Sequence, residues 1–186
     1  MPPFDFIPQP HPANVEVSPV PVGKTLGDML EAGEIDALIS AVTPNCVLNN
    51  SPKVGRLFPD PKAVERDYYQ RTGIFPIMHT VVIRRDVLAQ HPGLAPTLFK
   101  GFGEAKEVAM ERYRKGLMEQ SMDLMVPWFS ELLDENSRLF PPDWWPYGVA
   151  ANRKAVDTFL RYSFEQGLSK RRLTCEDIFV PELLGT

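Results

Sequence analysis

Three histidines occur in the 186 residues, His11, His79 and His91. The setting of His79 is the one that suits chemistry. Imidazole titrates near neutral pH, so it can give or take a proton where most side chains cannot. His79 lies in the stretch 72–85 (TGIFPIMHTVVIRR). This stretch opens in turn chemistry and passes a proline, which lacks the N–H of a central ladder position. It then enters a β-branched triplet suited to a buried strand. His79 therefore falls where loop becomes strand, and ligands of open α/β sheets lie just outside strand ends. Residue type alone favours a blander role, a structural histidine beside an apolar run. His11 lies in a proline-rich arm, and His91 precedes Pro92 in a helix connection.

A second stretch, 138–149 (RLFPPDWWPYGV), carries two tryptophans, a tyrosine and three prolines. It cannot form a regular helix. Aromatics on such a loop can wall a pocket for a planar ligand. They can equally clamp the loop to the body, since tryptophan buries a large area wherever it sits. Other signatures are missing: there is no glycine-rich phosphate loop, no His-Glu-x-x-His, no Cys-x-x-Cys and no Gly-x-Ser-x-Gly. Cys46 and Cys175 have no metal-ligand spacing. Two thiols make no disulfide framework and point to a reducing compartment, hence a cytoplasmic location. A single bridge between them stays open.

The elements that must position these groups follow from periodicity. Residues 1–12 contain five prolines and read as an extended arm. Short strands are expected at 14–17, 35–42 and 54–58, with Thr25 capping a helix that Gly33 stops. Asp60 and Pro61 open a helix over 62–71, on which Glu65 and Tyr69 are neighbours four residues apart. A strand over 77–84 follows. A helix over 97–115 places Phe99, Phe102, Val108 and Tyr113 on an apolar face and Glu104, Lys106 and Glu107 on a charged one. A second helix over 117–133 is interrupted near Pro127, with Met118, Met122 and Met125 as core filler. Asn152 caps a last long helix ending at Gly167. Net charge is −4, which gives no nucleic-acid footprint. No apolar run reaches the roughly 20 residues of a membrane span.

The chain resembles the 4,5-dihydroxyphthalate decarboxylase family. The resemblance runs through 26–40 (LGDMLEAGEIDALIS), 54–60 (VGRLFPD), 65–69, 72–85, 143–153 (DWWPYGVAANR) and 161–168 (RYSFEQGL). It implies an α/β fold like that of type II periplasmic binding proteins, two lobes around a cleft. Members of the family run to roughly 300 residues or more, so the expected fold is a truncated one. Residues 1–12 would be the arm, 13–72 the end of the second lobe, 73–80 the return crossover and 81–186 the C-terminal helical part of the first lobe. Apolar helix faces at 98–113 and 156–164 would then need cover from a homo-oligomer or from a missing N-terminal segment.

The implied reaction converts 4,5-dihydroxyphthalate, a small aromatic dicarboxylate, to protocatechuate. Loss of CO2 needs a proton delivered to ring carbon, a group to take the phenolic proton, and cations for two adjacent carboxylates. The candidates are His79 for proton transfer, Glu65 as its partner or base, and Arg56 and Arg71 for the carboxylates. Tyr69, Trp145 and Tyr147 are candidates for ring contact. The mechanism requires neither metal nor organic cofactor. The alternative is a solute-binding or sensor protein of the same fold without catalysis.

Overall fold

A computed structural model describes residues 13–119 and 125–186, with side chains of 116–119 excepted. The proline-rich arm and Met122 lie outside the described residues. The chain divides between Glu65 and Arg66 into two compact units.

In the first unit, α1 (Leu26–Ala32) starts at a capping box. The Thr25 hydroxyl accepts from the Asp28 amide, and the Asp28 carboxylate accepts from the Thr25 amide. These bonds satisfy donors that have no partner inside the helix. Gly33 ends the helix in the left-handed conformation, as expected from the sequence. α2 (Asn45–Leu48) packs against α1, and Cys46 is buried there. α3 (Pro61–Thr72) spans the division between the units; it begins as its Pro61 predicts, with Asp60 accepting from the Ala63 amide.

In the second unit, α4 (Arg85–Gln90) leads into the long α5 (Leu94–Glu119). α6 (Phe129–Leu139) follows Trp128, whose φ of 56° breaks the chain direction. The expected helix over 117–133 is therefore two separate segments. Met125 is fully exposed rather than core filler. α7 (Val149–Glu165) and α8 (Cys175–Ile178) close the unit, followed by a single 3-10 turn at Pro181–Leu183. A small core forms where α8 and the C-terminal residues meet α7: Val149, Val156, Leu160 and Cys175 are buried, packed by Leu173, Phe179 and Leu184.

Among the described residues none of the four expected strands forms. Segments 14–17, 35–42, 54–58 and 77–84 run without a backbone ladder. The physical reason is the missing neighbour. β-Branched residues favour a pleated, half-buried surface, and an unpaired segment offers none. Val81 and Val82 are accordingly exposed, as are Ile39 and Val42. On the helices, Phe102, Val108, Phe159, Tyr162 and Phe164 also remain exposed.

Candidate functional site

The second unit contains a cavity of about 800 Å³, within the usual range for small-molecule sites. Its walls come from the end of α3 and the segment after it, α4, the start of α5, the loop between α6 and α7 with the first turns of α7, and the C-terminal residues.

His79 lines this cavity and is exposed. It reaches there because Gly73, with φ of 65°, turns the chain out of α3 and lets it run extended. Among the described residues no side chain bonds to the His79 imidazole, which leaves both ring nitrogens available to a ligand.

The aromatic wall is built on contact, not on secondary structure. Tyr69 on α3 meets Phe140 with ring centres 4.5 Å apart. Phe140 meets Phe75 edge-on at 5.4 Å, and Phe75 meets Trp145 at 5.5 Å. Such tilted and edge-to-face pairs suit the aromatic quadrupole. Tyr69, Phe75, Phe140, Trp145 and Tyr147 all line the cavity.

The loop that carries Trp145 and Tyr147 is held from three sides. Lys106 on α5 donates to Asp143 Oδ2 at 2.7 Å and to the Trp145 carbonyl at 3.3 Å. Its ammonium lies 5.0 Å from the centre of the Tyr147 ring. The Asn152 amide donates to the carbonyls of Pro146 and Gly148 at 2.8 and 2.9 Å. Asn152 is thus not the cap of α7, which begins at Val149. It binds back onto the loop instead. The third hold is Thr186, whose carbonyl accepts from the Ala150 and Ala151 amides and whose hydroxyl accepts from the Val149 amide. Gly148 makes this possible. Its φ is 110°, and a β-carbon there would stand 2.6 Å from the Thr186 carbonyl carbon.

The cavity thus gathers Tyr69, His79, Trp145 and Tyr147 from the sequence candidates. It does not gather Arg71, which pairs with Asp67 one turn back on α3 at 2.7 Å and is exposed. Arg56 and Glu65 are exposed residues of the first unit, and the residues that line the cavity belong to the second. Sequence reasoning missed Lys106 and Lys154. Lys106 was grouped with the charged face of α5, yet its side chain is 12% exposed. The signal was present, because Lys106 falls at helical spacing in the inward row Phe99, Lys106, Met110 and Tyr113. Lys154 follows the Asn-Arg pair of the 143–153 motif and lines the cavity.

No family model matches the chain. The chain is 36% identical over 173 residues to the 4,5-dihydroxyphthalate decarboxylase of Comamonas testosteroni, an alignment covering 93% of this chain and 52% of that protein. The chain is similar to this decarboxylase over nearly its whole length. A second relative, the 4,5-dihydroxyphthalate decarboxylase of Pseudomonas putida, is 41% identical over 59 residues, 32% of this chain and 23% of that protein. The chain thus spans about half the length of the Comamonas decarboxylase.

Two further observations bear on what the site holds. Among the described residues no group of three metal-ligating side chains is assembled. No described helix is long and apolar enough to cross a membrane.

Proposed function

We propose that the chain acts in the decarboxylation of 4,5-dihydroxyphthalate, or a closely related aromatic dicarboxylic acid, with His79 as proton donor. The observation that carries this reading is the shared cavity, in which an unpaired imidazole faces an aromatic wall. The names and identity of the relatives support the substrate class.

The chemistry follows from the ring. Each carboxyl of 4,5-dihydroxyphthalate lies para to a hydroxyl. Ionisation of that hydroxyl pushes electron density onto the carbon bearing the carboxylate. The imidazolium of His79 gives that carbon its proton. The bond from ring to carboxylate then breaks, its electron pair restores the aromatic ring, and CO2 leaves. The phenolate left on the ring takes back from water the proton released to water at the start, and the product, protocatechuate, keeps the second carboxylate and both hydroxyls. Trp145, Tyr147 and Tyr69 would flank the ring and limit water at the reacting carbon, which strengthens each charge interaction there.

The bilobal α/β fold is part of the same proposal. In that reading the extended segment 73–80 is the return crossover that carries His79.

The test is to incubate the purified chain with 4,5-dihydroxyphthalate and follow CO2 and protocatechuate. Equal release of both supports the reading. Saturable binding with no CO2 would favour a solute-binding or sensor role instead.

A further inference from the structure

We propose that Lys154 is the cation that holds a ring carboxylate of the ligand in this cavity. The inference rests on the reading that the ligand is an aromatic dicarboxylate, and it assigns to a lysine of α7 the part that the sequence had given to arginines.

Charge accounting in the cavity leads to it. Among the described side chains that line the cavity Asp143 carries the single carboxylate and Lys154 the single ammonium. Asp143 already has its counter-ion, Lys106, at 2.7 Å. Lys154 has none: among the described residues no carboxylate stands within ion-pair distance of it. Lys154, exposed to solvent at the cavity wall, is therefore an ammonium that no carboxylate of the described protein answers.

Position supports the same role. A β-carbon on Gly73 would stand 3.6 Å from Lys154 Nζ. The ammonium thus lies against the backbone at the start of the segment that carries His79. The other feature of α7 that attracts anions is its N-terminus, where free amides and the helix dipole favour negative charge. That end is occupied, since Thr186 accepts from Val149, Ala150 and Ala151. Lys154 is left as the cation of α7 that lines the cavity, since Arg153 and Arg161 pair with Glu176 and Glu165 and do not line it. Its three donors form charge-assisted hydrogen bonds, which are about twice as strong as neutral ones.

The experiment compares the 186-residue chain with Lys154→Met and Lys154→Gln by calorimetric titration. The probes are phthalate, which carries two carboxylates, and catechol, which carries none. Both neutral variants should bind phthalate at least about tenfold more weakly, the scale of one charge-assisted hydrogen bond. Catechol affinity should stay within about twofold, and added salt should weaken phthalate binding less in the variants than in the parent. Unchanged phthalate affinity in either variant overturns the assignment. Equal losses for phthalate and catechol also overturn it, because a purely structural role would weaken both. If the parent binds phthalate and the variants match it, Lys154 is wrong and the proposed substrate class stands. A parent that binds neither phthalate nor 4,5-dihydroxyphthalate overturns the substrate class and this inference together.

Discussion

The Lys106 ammonium stands 2.7 Å from the Asp143 carboxylate and 5.0 Å from the centre of the Tyr147 ring. One side chain of α5 thereby fixes both ends of the aromatic loop. Asp143 is half exposed, so solvent screens part of the pair and its contribution is modest. Lys106→Met should lower stability by about 1–2 kcal/mol. It should also shift tryptophan emission to the red as the loop around Trp145 loosens. Thermal melting and fluorescence spectra read the two effects. Unchanged values in both would remove Lys106 from this role.

The contact between Gly148 and Thr186 makes a sharper prediction. A methyl group at position 148 would collide with backbone that cannot yield as a flexible side chain does, at a φ that disfavours any β-carbon. Gly148→Ala should cost roughly 2–4 kcal/mol in urea unfolding. Asn152→Ala removes two hydrogen bonds to the same loop and should cost about 1–3 kcal/mol. A parental urea midpoint for Gly148→Ala would mean that Thr186 does not pack against the loop.

Acid should loosen α8 before the rest of the unit. The Asp177 carboxylate accepts from Arg171 at 2.8 and 3.1 Å and from the Thr174 amide at 2.9 Å. The Arg171 bonds chiefly, then the Thr174 amide, hold its pKa well below the ordinary carboxylate range. The Glu176 carboxylate is lowered as well, first by its bond from Arg153. Groups with depressed native pKa values stabilise fully above their unfolded values, near pH 4, and lose that effect as pH falls through the native ones. Stability should thus be level above about pH 5 and fall below about pH 4. Asp177→Asn should flatten that fall in an acid titration followed by circular dichroism. A variant with the parental acid profile would place the acid sensitivity elsewhere.

The sequence was most legible where the rules are local. Thr25, Gly33, and Asp60 with Pro61 gave helix ends that the structure repeats, because a cap needs only its own neighbours. The extended segments were misread for the opposite reason. Val81, Val82 and Ile83 have the chemistry of a strand, but a ladder depends on a second strand that no residue within the triplet encodes. Among the site candidates, Tyr69, His79, Trp145 and Tyr147 were visible as unusual residues in unusual stretches. Lys106 was missed although its helical spacing marked it, because a lysine on a helix reads as solvated surface, and Lys154 is indeed exposed and is singled out by the cavity it lines. Arg71 shows the converse: an apt side chain for a carboxylate, already engaged by Asp67.

The most direct test of the account is decarboxylation of 4,5-dihydroxyphthalate by the parent chain and by His79→Asn, with binding measured alongside. Asparagine keeps a similar size and hydrogen-bonding character but cannot carry the proton. The account predicts that CO2 release falls by about 10²–10⁴-fold, the usual worth of a general acid, while affinity for the substrate changes only a few-fold. Release of CO2 at near-parental rate from His79→Asn would contradict it.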